Sequence, residues 1–269
     1  MTPTNRIRLL VAAAAVVAAG VVAGVVLATR QDPAQPKALC ARASAFVVPG
    51  VKSANVAAVR AAMRRPAKRA AQLLEPLAFA HPKDPVVQFN DARALLCAGF
   101  VPDAAQALRN AKAAGRDSYY EVASDNLLHP QFFGPGYPPF QYFGRDPLLI
   151  QGQLAQRNYH QRTAERLWAR AARLHPDDAD AQVAAAVGRF DMDDLSASFS
   201  RLGPLVRRFP QSQSVRFHLG LLLAWTGQRD LAVKEFRAAV ALGPKSRFGK
   251  LANAFLSRLV TGGTNPPKR

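Results

Sequence analysis

A chain of 269 residues, 49% of them apolar, can build one sizeable hydrophobic core but not two clearly separate domains. Its 36 Lys and Arg stand against 18 Asp and Glu, a formal net charge of +18 that points to anionic partners. No HExxH, paired CxxC, P-loop or Rossmann glycine cluster is present, so no cofactor, metal site or catalysis is expected.

Residues 1–8 form a short tail carrying Arg6 and Arg8. Leu9 to Thr29 holds no charge, and a helix of that length spans about 30 Å, the thickness of a bilayer's hydrocarbon core. A transmembrane signal anchor over 9–29 is therefore expected. The alternative is a cleavable signal peptide with Val26 and Ala28 ahead of the cut, although its apolar stretch is normally shorter. Lys37-Ala38-Leu39 lacks the small residue that a lipidation signal places before its cysteine, here Cys40. A basic tail ahead of a first apolar segment usually stays cytoplasmic, which puts the rest of the chain on the outer side of a cell membrane. Gly20 and Gly24 form a GxxxG that either packs two membrane helices into a dimer or simply reflects composition. Residues 30–50 read as a linker. In an exported chain Cys40 and Cys97 suggest a disulfide; the other reading makes Cys97 a small buried apolar residue and Cys40 incidental.

Period-two alternation is absent over useful lengths, so helices are expected and strands are not. Residues 51–116 open with Arg60, Arg64, Arg65, Lys68 and Arg69, and no acid occurs from Pro33 to Leu74. Residues 1–37 carry four basic residues and one acid, which leaves 32 basic and 17 acidic residues, a net +15, on the remainder. Beside a bilayer such a patch suits anionic headgroups, at roughly 1 kcal/mol per basic residue. It also suits acidic proteins or envelope polymers, and its plain reading is a solvated face. No aromatics interleave with it, so nucleic acid is not expected.

Residues 117–147 are the most unusual stretch. Tyr119 to Leu128 reads as a helix. Phe132, Phe133, Tyr137, Phe140, Tyr142 and Phe143 then alternate with prolines and glycines that forbid regular structure. So much apolar area must be buried, either over a junction inside the protein or against a partner. His81, His129 and His175 each precede a proline, a placement that helix termination explains. Asp191, Asp193 and Asp194 read as turn caps rather than metal ligands.

Residues 148–246 hold a sparse pattern stated twice, 68 residues apart: Gly152, Ala164, Trp168, Ala171, Pro176, and then Gly220, Ala232, Phe236, Ala239, Pro244. Small residues let two helices approach, an aromatic fills the gap beside them, and proline ends the unit. The distance is twice 34, with Ala186, Ser198, Leu202, Leu205 and Pro210 as a degenerate unit between. Upstream, Ala92, Leu95, Gly99, Ala104, Leu108 and Ala111 keep the same offsets, and Ala70, Leu74, Leu77 and Pro82 lie 34 residues before. The two registers are out of phase, which makes 117–147 an insert. Leu251, Phe255 and Leu259 line one face of a closing helix over 247–260, and 261–269 reads as a disordered tail.

This pattern resembles the tetratricopeptide repeat, a 34-residue helix–turn–helix unit that stacks into an α-solenoid. The resemblance implies an all-α solenoid of about five helix pairs, to which the apolar run over 9–29 adds an N-terminal membrane helix and residues 117–147 an aromatic insert. It also implies a groove lined by first helices, which here would carry Phe89, Arg93 and Leu96; Gln153, Gln156 and Arg157; and Phe217, Leu221 and Trp225. The expectation is a membrane-anchored scaffold that binds a protein or peptide in that groove. The alternative is a protein that binds a membrane surface or envelope polyanion through its basic first repeat.

Overall fold

The computed structural model describes Cys40 and residues 44–48, 51–130 and 136–260. All belong to the compact unit Ala38–Arg269. Residues 9–29, with Gly20 and Gly24, lie outside the described residues, as do Phe132, Phe133 and 261–269. Among the described residues no helix is long and apolar enough to cross a membrane.

The described residues are helical and contain no strand. In chain order the helices are α1 (Val56–Met63), α2 (Ala67–Ala80), α3 (Pro85–Ala98), α4 (Val101–Ala114), α5 (Tyr119–Leu128), α6 (Pro147–Arg157), α7 (Gln161–Leu174), α8 (Ala179–Gly188), α9 (Leu195–Leu202), α10 (Leu205–Arg208), α11 (Gln213–Trp225), α12 (Arg229–Leu242) and α13 (Arg247–Val260). From α1 to α5 and again from α6 to α8, each helix packs on the next, and α11, α12 and α13 do the same. α8 also packs on α11, so the architecture is helical and repeat-like. Among the described helices, α5 and α6 are the consecutive pair that does not pack extensively, and the sequence registers fall out of phase between them.

Local chemistry sets the starts of the first helices. Asp84 accepts from the Val86 and Val87 amides, and Asp146 does the same for Leu148 and Leu149. In both cases proline follows at the first helical position, where its missing N–H costs nothing. Gln88 and Gln182 then tie their helices back, donating to the carbonyls of Ala78 (2.7 Å) and Ala172 (3.0 Å).

The glycines of the repeated pattern act through space. A methyl group added at Gly152 would overlap the Trp168 indole, and one at Gly220 would come within 2.9 Å of the Phe236 ring. Both rings are fully buried. The apolar interior forms two clusters. The upstream one gathers Val59, Leu74, Val86, Phe89, Leu108 and Tyr120. The downstream one gathers Phe140, Leu149, Trp168, Phe217, Phe236 and Ala252.

Candidate functional site

The faces expected to form an open groove are covered by the chain itself. Phe89, Arg93, Gln153, Gln156, Phe217, Leu221 and Trp225 are buried, Leu96 is half-buried, and only Arg157 stays exposed. Two irregular segments supply the cover, which is the difference from the expected groove.

On the upstream face, residues 44–48 run over α3 and α5. Asn90 grips both main-chain groups of Phe46: its Oδ1 accepts from the amide at 2.7 Å, and its Nδ2 donates to the carbonyl at 2.9 Å. Arg93 Nη1 donates to the Ser44 carbonyl at 2.8 Å, and the Val48 amide donates to the Tyr120 hydroxyl at 3.3 Å. The Phe46 ring stacks on Tyr119 and meets Phe89 edge-on. A disulfide between Cys40 and Cys97 fastens this segment to the end of α3.

On the downstream face residues 136–143 of the insert lie against α6 and α11. Trp225 Nε1 donates to the Gly136 carbonyl at 3.1 Å, and Gln156 Nε2 donates to that of Pro138 at 3.2 Å. The Phe140 amide donates to Gln156 Oε1 at 2.8 Å, and its carbonyl accepts from Gln153 Nε2 at 3.2 Å. The next amide, of Gln141, donates to Nε2 of His218 at 2.9 Å. Burial lowers the His218 pKa to about 4, so its ring is neutral, with Nδ1 donating to the Ser214 carbonyl at 2.7 Å. Phe140 fills the space between Trp168 and His218, with ring centroids 5.0 and 5.1 Å away. Tyr137 meets Phe190, and Tyr142 stacks on Phe140. Phe143 is exposed along one edge and packs on Phe248, with Arg247 over its ring.

A polar seam joins the two apolar clusters. Asp117, held at φ 59°, caps α7 from outside: its carboxylate accepts from the amides of Arg162 (2.9 Å) and Thr163 (3.1 Å) and from the Thr163 hydroxyl. Burial raises its pKa, but these hydrogen bonds outweigh that and hold it below the usual carboxylate range. Glu121 receives Arg162 on one oxygen through Nε at 2.7 Å and Nη2 at 2.6 Å. Asp125 pairs with Lys112 at 2.6 Å and accepts from the Tyr137 hydroxyl.

Sequence reasoning did not single out Asn90, Asp117, Glu121, Asp125, Arg162 or His218. Ser118-x-x-Glu121 carries a capping-box spacing that marks the start of α5. No local signal announces its ion pair with a residue 41 positions away.

The basic residues Arg60, Arg64, Arg65, Lys68 and Arg69 are all exposed, and among the described residues none joins an ion pair. Asp194 caps α9 and Asp191 accepts from the Asp193 amide. Among the described residues no group of three or more His, Cys, Asp or Glu could hold a metal ion. Comparison with family models, curated proteins and solved structures finds no match.

Proposed function

We propose that this chain is a scaffold of tetratricopeptide-like helix pairs, anchored by residues 9–29 with its repeats on the outer side of a membrane, that binds extended segments of partner proteins without catalysis. The observation that supports this reading is the way the first-helix faces treat main chain. Gln153, Gln156, His218 and Trp225 hold five main-chain groups of the insert between Gly136 and Gln141 through side-chain hydrogen bonds, and Asn90 and Arg93 hold those of Phe46 and Ser44 likewise. Recognition of extended backbone by side-chain amides tolerates varied sequences, because every residue offers the same N–H and C=O. A partner segment would join or replace the insert beside Arg157, the exposed member of the face.

The test places a photo-crosslinking residue at Arg157 in the full-length protein in native membranes. It compares the otherwise natural chain with one that also carries Phe140→Ala, which removes the ring seated between Trp168 and His218 and leaves Gln153 and Gln156 in place. A specific crosslinked protein whose yield rises when the insert is loosened supports partner binding on this face. Crosslinks that stay within the chain in both forms would remove it as a partner site.

A further inference from the structure

Phe79 is 90% exposed, more than any other large apolar side chain among the described residues. It sits on α2, whose other face, with Ala70, Ala71 and Leu74, is buried against neighbouring helices. Helical geometry places Lys68, Gln72, Pro76 and Phe79 in successive turns of the outward face, with Arg69 and Leu73 beside them, and all six are exposed. Arg64 and Arg65 precede the helix and Arg60 lies in the last turn of α1, all exposed. The face is thus cationic at its start and apolar towards its end, with Glu75 as its one carboxylate.

We propose that this α1–α2 face docks on a bilayer containing anionic phospholipid, with Phe79 and Leu73 entering the headgroup–acyl boundary while the five basic residues meet phosphate. An apolar medium is what distinguishes a bilayer from the other polyanions that would satisfy the charge. Acidic polymers offer nothing to an exposed phenyl ring, whereas interfacial helices pair basic residues with Phe and Leu in this way. The tether points to the same occupant. α2 packs on α3, and α3 carries Cys97, to which Cys40 is bonded. On the reading that 9–29 lies in the membrane, the connection from Thr29 to Cys40 reaches at most roughly 40 Å, so a bilayer is always nearby. Each basic residue near an anionic surface contributes roughly a fivefold gain in partition, so four of them together contribute several hundredfold.

The test uses the full chain reconstituted in liposomes, with Phe79→Trp as a reporter read against the unsubstituted protein, whose Trp168 and Trp225 are both buried. The liposomes contain phosphatidylcholine alone or with phosphatidylglycerol, each with or without bromine on the acyl tails. Docking predicts a blue-shifted reporter that loses about half of its emission to brominated tails only when phosphatidylglycerol is present. High salt, or reversal of Arg64, Arg65, Lys68 and Arg69 to Glu, should restore that emission. Absence of quenching in phosphatidylglycerol liposomes overturns the proposal. So does equal quenching in phosphatidylcholine alone that ignores salt. Thermal melts check that the charge-reversed variant is folded. The assay contains no partner protein, so its result is separate from that of the crosslinking experiment.

Discussion

Gly152 and Gly220 are defined by what faces them rather than by their own flexibility, since neither needs an unusual backbone angle. Gly152→Ala puts a methyl group into the Trp168 indole, and Gly220→Ala presses one on Phe236. Both rings are buried and cannot swing away. Each substitution should therefore cost about 1–3 kcal/mol in denaturant melts, with Gly152 the worse because its overlap is tighter. Two buried groups with large shifts act on stability in opposite directions as pH changes. Asp91 is buried with an Oδ1 that has no hydrogen-bonding partner, and burial together with nearby Glu75 raises its pKa to about 6. A raised carboxyl pKa means the folded state holds a proton the unfolded state releases, so stability falls as pH rises from about 4 to 6. His218 works in the opposite sense. Its pKa is lowered to about 4, so stability rises with pH between about 4 and 6.5. Each effect is on the order of 3 kcal/mol, and in the wild type they largely cancel. Asp91→Asn removes the first. The variant should be more stable than wild type above pH 6, nearly equal to it at pH 4, and should gain stability steadily between. A variant curve as flat as that of the wild type would contradict this assignment.

At the scale of elements, the insert behaves as a strap across α6 and α11 rather than a loop projecting from them. Between Gly136 and Gln141 its main chain is held by side chains, so one substitution leaves more than one group unpaired. Gln156→Ala strips the partners of the Phe140 amide and the Pro138 carbonyl. At about 1–3 kcal/mol for each unsatisfied group, it should speed proteolysis and amide exchange over residues 136–142 while leaving α3 and α4 protected. Asn90→Ala is the mirror case. It should release residues 44–48, read by exchange at the Phe46 amide, and leave the downstream strap in place. If either substitution loosened both segments equally, the two straps would form a single cooperative unit.

The described residues form two apolar clusters joined by a polar seam, to which Asp117, just ahead of α5, and Glu121 and Asp125, on α5, contribute bonds to the downstream half. Acid weakens this seam through Asp117. The lowered pKa of Asp117 means its contribution is present above the ordinary carboxylate range and is lost as pH falls through the depressed value. The disulfide acts on the upstream half alone. It closes a separation of 57 residues, and the loss of that constraint on the unfolded chain is worth about 4 kcal/mol. Reduction should therefore lower the denaturant midpoint and deprotect α1 to α3 first, while α11 to α13 keep their exchange protection.

The all-helical class was legible in the residues because periodicity and helix punctuation are local properties. The helix over Tyr119–Leu128 and the close approaches at Gly152 and Gly220 were legible for the same reason, as short-range steric facts written in residue size. Local spacing could not show that the faces carrying Phe89, Gln153, Phe217 and Trp225 are covered. An irregular segment has no periodicity to betray its destination, and its hydrogen bonds go to side chains as far as 89 positions away. For Cys40 and Cys97 the residues left two readings open, because a pair of cysteines carries no distance information until the chain is folded. The sequence by itself determined the helical class, the helix over Tyr119–Leu128 and the close approaches at Gly152 and Gly220, because each rests on local residue size and periodicity. The tertiary structure alone decided what occupies the faces between helices, since that depends on which long-range partners satisfy the main chain of the two straps.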